Sequence, residues 1–304
     1  MNLTAVRAGW AGGLIELRQS FSGSALIGQL LWPVATLLSI YFLRDRAFGV
    51  GGPHLGTLIL PSVLGMFIAL GMVLVIQYLA ADREDGTVLR AKATPDGIPG
   101  YLLGKIVLVS GSILAYLAII VIPGLFLVDG LHIHGINSLL TIAWVLILGL
   151  VATQALGAIL GSLISSPRGV GYASLPVLGL IAISGIFYPI TALPEWLQRV
   201  AEVFPMYWLG LGIRAALLPE TAAVVEIAGS WRQLETAVVL GVWAVAGLIL
   251  APVVLGRMAR RESGSRVADR RERAAGVPAQ RGELHPGVLR AHEGPQGRVH
   301  GRDG

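Results

Sequence analysis

Residues 57–81 read TLILPSVLGMFIALGMVLVIQYLAA, a stretch without a single Asp, Glu, Lys, Arg or His. A helix needs about 20 apolar residues to cross the hydrocarbon core of a bilayer, where its backbone groups have no water to bond. The sequence therefore predicts an all-α polytopic membrane protein with six transmembrane helices. The other five apolar stretches cover residues 24–43, 106–128, 135–164, 169–189 and 236–256.

The composition supports this prediction. Of the 304 residues, 54 % are hydrophobic and only 13 % are charged, and the mean hydropathy is +0.72. Charged residues make up about 25 % of an ordinary soluble domain. The chain contains no cysteine, which excludes disulfides, thiolate catalysis and cysteine-ligated metal centres.

The net charge of +5 lies at the C-terminus. Residues 257–304 hold 11 Arg against 6 acidic residues, whereas residues 1–256 hold 12 basic and 12 acidic residues. Cytoplasmic segments of membrane proteins are enriched in Arg and Lys, so we expect residues 259–304 to be a basic, disordered cytoplasmic tail. With six spans both termini share a side, which predicts an N-in and C-in topology. The same side then collects Arg7, Arg18, Arg83, Arg90, Lys92, Lys105 and Arg168.

Residues 1–22 have the pattern of an amphipathic helix. An apolar stripe at helical spacing is interrupted by Gly9, Gly12 and Gly13, and the charged residues lie elsewhere. We expect an N-terminal helix lying in the inner membrane interface, ahead of a transmembrane domain at residues 23–258. A frayed N-terminal extension is the alternative. The stripe consists of Leu3, Val6, Trp10, Leu14 and Leu17.

The connection at residues 82–95, between the second and third spans, is more than a turn. Asp82, Arg83, Glu84 and Asp85 are followed by Gly86 and Thr87 and by a helix-prone run that ends at Pro95. We expect a short charged helix at the inner surface that serves as a docking element. A surface helix stabilised only by its own capping and dipole is the alternative.

The connection at residues 189–218, before the sixth span, is too apolar for a solvated loop. Pro189, Pro194 and Pro205 divide it into two short amphipathic pieces. The pattern favours a re-entrant helical hairpin that dips into the outer leaflet. Its Trp196, Tyr207 and Trp208 are expected at headgroup level, where tryptophan and tyrosine are enriched. The alternative is an aromatic anchor without a role in passage.

Several chemistries have no residues to support them. The only lysines, Lys92 and Lys105, precede Ala93 and Ile106, so no phosphate-binding G-x-x-x-x-G-K-[ST] loop exists. All six histidines lie outside the apolar stretches. We therefore predict no catalytic residue, no cofactor and no metal site in this chain. The apolar stretches also contain none of the ionisable residues that ion-coupled carriers use, so energy for transport must come from another subunit.

Residues 2–258 resemble the permease subunits of type-2 ATP-binding-cassette exporters, in particular the daunorubicin-resistance-like group. The stretch Glu84 to Leu89, with Pro95 behind it, is similar to the acidic-Gly-Thr coupling segment of that family. The resemblance implies that Asp82, Arg83, Glu84, Asp85, Gly86, Thr87 and Arg90 couple to an ATPase. It also implies an outer gate or re-entrant hairpin at Phe187, Tyr188, Pro189, Leu193, Pro194, Trp196, Pro205, Tyr207 and Arg214. Residues 90–93, Arg-Ala-Lys-Ala, depart from the leucine-rich run that is more usual there.

The resemblance further implies the partners and the location. Two copies of a nucleotide-binding ATPase subunit would carry the ATP and Mg, and a second permease copy or a homologous permease would complete the path. Membrane lipids and a small amphipathic, drug-like or lipid-like cargo are the other expected partners, and nucleic acid is not one. The expected location is the plasma membrane of a bacterium. The alternatives are a permease for a polysaccharide or lipid-linked glycan, and a stand-alone carrier or assembly factor.

Overall fold

The computed structural model describes residues 3–44, 55–128, 135–164 and 167–275. This part of the chain is built from α-helices, with three short 3-10 helices at Ile190–Ala192, Glu220–Val225 and Ile227–Gly229, and has no β-strand, so the all-α polytopic prediction is confirmed. The helices are α1 (Leu3–Ser20), α2 (Ala25–Leu43), α3 (Leu55–Glu84), α4 (Thr87–Lys92), α5 (Gly97–Leu127), α6 (Gly135–Leu163), α7 (Pro167–Ile183), α8 (Glu195–Val203), α9 (Pro205–Leu217) and α10 (Gln233–Ala275).

Helix α3, which contains the charge-free stretch 57–81, lies at the centre of the bundle. It contacts α5, α6, α7 and α9, and Ile68, Met72, Ile76 and Leu79 are almost fully buried. Because α3 is apolar on all sides, it has no polar face to present to water and belongs in the interior. Helices α3 and α6 come together closely because Gly157 and Gly161 face Met72 and Ile76 without a side chain in between.

Within the described residues, five helices are long and apolar enough to cross a membrane, namely α2, α3, α5, α6 and α10, and the number is six when the bent pair α8–α9 is counted as one span. The stretch predicted as a fifth span, residues 169–189, is shorter than expected, because α7 is a 17-residue helix that ends at Ile183. Gly185 then takes a φ of +68°, a left-handed conformation that turns the chain away from the helix axis. At about 1.5 Å per residue, α7 is about 25 Å long.

Helix α1 packs against the first half of α5, and its glycines make the contact. A Cβ atom on Gly9 would lie 2.2 Å from the backbone oxygen of Gly100, and one on Gly13 would lie 2.4 Å from that of Gly104. The two helices therefore run in the same direction, backbone against backbone. Two of the glycines that interrupt the apolar stripe of α1, Gly9 and Gly13, form its packing surface, while Leu3 and Trp10 of the stripe are more than half exposed.

The bent pair α8–α9 occupies the position predicted for the helical hairpin. The two helices meet at Phe204 with a bend of 90°, and Pro205 occupies the first turn of α9. Helix α9 is buried over nearly its whole length against α3 and α6. Helix α8 is amphipathic and mostly exposed. The hairpin is thus one element of the core joined to one element of the surface.

Polar side chains inside the bundle bond between helices. Gln154 of α6 donates from its Nε2 to the Oγ of Ser110 of α5 at 2.9 Å. Tyr116 of α5 donates its hydroxyl to the Oε1 of Gln29 of α2. In an apolar environment such bonds fix which helix faces meet.

The described residues divide into two units, one up to Arg260 and one from Arg261 onwards. Helix α10 continues through residue 275, beyond the boundary at 258 that the sequence suggested. Residues 257–275 are rich in Arg, Ala and Glu, which favour helix over the disordered tail expected there. The rest of the predicted tail, residues 276–304, lies outside the described residues.

Candidate functional site

The bundle has two ends that carry the predicted site residues. Helices α3, α6 and α10 run towards the end that holds α4, here called the α4 end, and α5 and α7 run away from it. The opposite end holds α8 and the turn after α7, and is called the α8 end. Contacts fix this arrangement, because the start of α5 meets the last turn of α3 at Lys105–Asp82, and Gly124 near the end of α5 faces Leu60.

At the α4 end the chain turns sharply between α3 and α4. Gly86 takes a φ of +73°, which lets α4 begin immediately after the acidic residues. Val88 is fully buried and fixes α4 to the bundle. Arg90 donates to the backbone oxygen of Asp85 at 3.1 Å and to the hydroxyl of Thr87 at 2.8 Å, so its guanidinium closes the turn.

The predicted coupling residues divide into two groups. Glu84, Asp85 and Arg90 are exposed beside the turn, where a partner protein can reach them. Asp82 instead points into the bundle and accepts a bond from Lys105. Lys92 of α4 donates to the backbone oxygen of Ala259 of α10 at 3.4 Å. Helix α4 is therefore a partly buried element that contacts α3, α5 and α10 and carries one exposed charge, Arg90.

Beneath α4 lies a cluster of charges that joins three helices. The side chain of Lys105 on α5 is 4 % exposed, and its Nζ lies 2.6 Å from Glu16 of α1 and 2.8 Å from Asp82 of α3. The hydroxyl of Tyr101 donates to the same Asp82 carboxylate at 2.5 Å. A lysine in so buried a position needs bonded carboxylates, because desolvation of an unpaired charge is costly. We call Glu16, Asp82 and Lys105 the charge triad.

From the sequence alone, Lys105 was expected to be one of the basic cytoplasmic residues, and no role was predicted for Glu16. The three residues are far apart in the chain, and no spacing rule connects them. One signal was present: Lys105 is one of only two lysines and stands directly before the apolar stretch 106–128. An ionisable residue at such a boundary needs a partner or a water-filled path.

At the α8 end, Arg214 is buried within a polar network. Its Nε lies 2.8 Å from the Oε1 of Glu226, and its Nη1 donates to the backbone oxygen of Gly185 at 2.8 Å. The side chains of Arg214 and Glu226 are 9 % and 2 % exposed. The guanidinium thereby links α9, the turn after α7 and the segment before α10. We call Gly185, Arg214 and Glu226 the arginine latch.

A second arginine holds the corner between α8 and α9. Arg232 lies 2.6 Å from Glu202 of α8, and its guanidinium sits 4.6 Å from the ring centre of Trp208. Burial lowers the pKa of Arg232, but the bond to Glu202 and the nearby charges of Glu202 and Glu235 together raise it more, so the pKa lies above its ordinary value. Trp243 of α10 donates to the backbone oxygen of Val203 at 2.8 Å and reinforces the corner.

The remaining predicted residues of the hairpin take different positions. Phe187 and Trp196 are 48 % and 66 % exposed, and the hydroxyl of Tyr188 donates to the backbone oxygen of Ala182. The expectation that Tyr207 and Trp208 anchor at headgroup level is wrong, because both are buried in the core. Among the prolines and leucine, Pro189 and Pro194 are exposed, Leu193 is partly buried and Pro205 is buried.

A family profile described as ABC-2 family transporter protein matches residues 51–251. The match covers about two thirds of the chain and includes α4, the bent pair and the first part of α10. The chain therefore belongs to the ABC-2 transporter family, whose members are the membrane transport components of their systems, and is a multi-pass membrane protein. Permeases of this family work with an ATPase partner. A search among curated proteins found no match for this chain.

Proposed function

We propose that this chain is the permease subunit of an ATP-driven exporter that moves small amphipathic, drug-like or lipid-like molecules across a bacterial plasma membrane. Two copies of the chain, or this chain and a homologous permease, would line the path. Two copies of a separate ATPase subunit would bind the ATP and Mg. The observation that carries the proposal is a six-residue helix, α4, which lies beside the exposed charges of Glu84, Asp85 and Arg90 and is fixed to three spans, in a chain of the ABC-2 family.

The α4 end supports a coupling role. Glu84, Asp85 and Arg90 are exposed and charged, so a partner can bind them without displacing core residues. Force applied to α4 reaches α3 through the Asp85–Gly86 turn and α10 through Lys92. The charge triad then extends the connection to α1, because Lys105 bonds both Asp82 and Glu16. ATP-driven movement of the partner would act as a shift between two permease states.

The α8 end supports the role of an outer gate. Buried α9 and exposed α8 meet at a right angle, so α8 can swing about Phe204 while α9 stays in the core. The pair of Arg232 with Glu202 of α8 resists that movement, while the arginine latch holds α9 to the turn after α7. In the N-in, C-in topology this end faces outward, and Phe187 and Trp196 form its exposed aromatic surface.

The proposed cargo follows from the character of the bundle. Polar side chains inside the spans mostly bond to one another or to the backbone, as Ser112 and Thr153 do. Such an interior gives few free groups to a strongly polar cargo, which favours an amphipathic molecule over a glycan.

The proposal is tested by isolating the tagged chain from its native cells in a mild detergent and identifying bound proteins by mass spectrometry. We expect an ATPase with a phosphate-binding loop at near-equal stoichiometry. Reconstitution of that complex in vesicles should then give ATP-dependent movement of a fluorescent amphiphile but not of a labelled oligosaccharide. If the chain is recovered without any nucleotide-binding partner, both in detergent and in nanodiscs, the proposal that a separate ATPase subunit powers it is wrong. Movement of the oligosaccharide alone would overturn the cargo class.

A further inference from the structure

A groove opens between α5 and α6 at the α8 end of the bundle. Its volume is about 300 Å³, and every residue that lines it is apolar. The floor comes from α3 and α9, where Leu60, Leu64 and Leu217 are buried. The rim comes from α5 and α6, where Ile122 and Leu139 are more than half exposed.

The groove exists because α5 and α6 pack on different neighbours. Helix α6 packs mainly on α3 and α9, and α5 packs mainly on α1, α3 and α2, so they touch each other little. Small residues deepen the gap: Ala118 lines it, and Gly124 stands against Leu60 where a Cβ would lie 3.1 Å from a methyl group. The groove is therefore a feature of the helix arrangement and not of one side-chain conformation.

The surroundings of the groove specify its occupant. Its walls belong to helices long and apolar enough to span a membrane, so its mouth faces the hydrocarbon of the bilayer. Water does not fill a cavity without polar groups. A cavity of about 150 Å³ holds one benzene ring, so about 300 Å³ has room for roughly a dozen carbons in a chain. A linear alkyl chain fits this elongated slot between two helices.

We propose that the groove binds one acyl chain of a membrane phospholipid. The chain enters between Ile122 and Leu139 and lies against Leu64 and Leu217, with its headgroup at the membrane surface beyond the α8 end. Acyl-chain binding at this site is independent of the cargo and of the ATPase, because it requires only the membrane and the groove formed by α3, α5, α6 and α9. The groove is distinct from the arginine latch, which is polar and closed.

The exposed face of α2 provides an internal control. Ile27 and Leu31 are 74 % and 62 % exposed, but they lie on an outer helix face without a floor behind them. Lipid contacts this face of α2 non-specifically, as a solvent does. Lipid tails are as apolar as the groove, so only closer packing makes an acyl chain prefer the groove to the exposed face of α2. We expect this preference to be modest, roughly threefold.

The test uses the full chain in nanodiscs made of phosphatidylcholine with a diazirine on one acyl chain. After irradiation, mass spectrometry maps the labelled residues. We expect residues 114–125 and 139–146 to be labelled roughly threefold more than residues 25–38. In the Ala118→Phe variant, whose ring fills the groove, this excess should disappear, whereas Ile27→Phe on α2 should leave it unchanged.

Three results would overturn the site. The first is equal labelling of the groove and of α2, and the second is an excess that Ala118→Phe leaves intact. The third is an excess that appears only when permease dimers are dissociated, which would assign the groove to contacts with a second copy. If Ala118→Phe does not fold, Leu139→Trp at the exposed rim provides the same comparison.

Discussion

The α4 end and the α8 end both bury a basic side chain beside carboxylates, but they hold it differently. At the α4 end, Glu16 of the charge triad is 43 % exposed, so water reaches one side of the cluster. At the α8 end, Arg214 and Glu226 are 9 % and 2 % exposed and shielded from water. An ion pair that keeps water contact can break and reform at low cost, whereas a fully desolvated one cannot.

This difference matches the work proposed for each end. In the charge triad, the bond from Lys105 to the 43 % exposed Glu16 can rearrange when α4 is pushed, while the bond to Asp82 keeps the buried lysine paired. The arginine latch connects α9 to the turn after α7 through bonds whose loss leaves a buried charge. The α4 end is therefore suited to receive movement and the α8 end to resist it until the bundle as a whole changes state. Substitutions at the two ends test this contrast.

The largest effect is expected from Arg214→Met. The substitution leaves Glu226 buried without its partner, and such a loss costs about 3–5 kcal/mol. We expect a strongly lowered unfolding temperature in detergent and poor recovery of folded protein. Arg199→Ala is the matched control, because its pair with Glu195 is long and more than four-fifths exposed and contributes about 0–1 kcal/mol. Equal effects of the two substitutions would refute the latch.

A smaller effect is expected from Lys105→Met. Asp82 and Glu16 lose their partner but keep some water contact, so we expect a loss of about 1–3 kcal/mol. Adding Asp82→Asn should recover part of this loss, because the buried carboxylate is then neutral. Thermal unfolding of the two single variants and the double variant measures the coupling. Strictly additive effects would show that the two side chains act independently.

Gly13→Ala tests how α1 is held to α5. The added Cβ would lie 2.4 Å from the backbone oxygen of Gly104, so α1 must move away, at about 1–3 kcal/mol. We expect faster amide hydrogen exchange throughout α1. At Gly12 an added Cβ meets nothing within 4 Å, so Gly12→Ala should instead stabilise the helix by up to about 1 kcal/mol. The same direction of change in both variants would contradict this packing.

The smallest effect on stability is expected from replacing Glu84 and Asp85 by Ala. Both side chains are exposed, and surface changes of this kind usually stay within about 0.5 kcal/mol. In the complex with its ATPase, we expect cargo-stimulated ATP hydrolysis to fall while the basal rate is kept. Unchanged stimulation would remove these residues from the coupling surface. Glu195→Ala on α8 is the control for loss of an exposed carboxylate.

Much of the fold was predictable because membrane spanning is a local requirement. An apolar run of about 20 residues without charges predicts a membrane-spanning helix, as the runs within α3 and α5 do. The bent pair was also predictable, since Pro205 interrupts an apolar run. Prediction failed for the burial of Tyr207 and Trp208, because an amphipathic pattern does not tell whether a short apolar helix faces lipid or protein.

The charge triad and the arginine latch were not predictable by the same means. Glu16 and Lys105 are brought together by the glycine contacts between α1 and α5, and each glycine alone looks like an interruption. Arg214 was named from a resemblance, but its partner Glu226 was not. Pairing of distant residues depends on which helix faces meet, and the spacing of residues along one helix carries no such information.

By itself, the sequence determined that this protein lives in a membrane, that it consists of helices, and that its chain cannot bind ATP through a phosphate-binding loop. These properties follow from hydrophobicity and from the absence of particular residues, and neither depends on contacts between distant parts of the chain. The tertiary structure alone decided which charges are buried, that α9 is core and α8 is surface, and that an apolar groove remains between α5 and α6. These properties depend on close approach between distant segments, where one missing Cβ decides whether two helices touch.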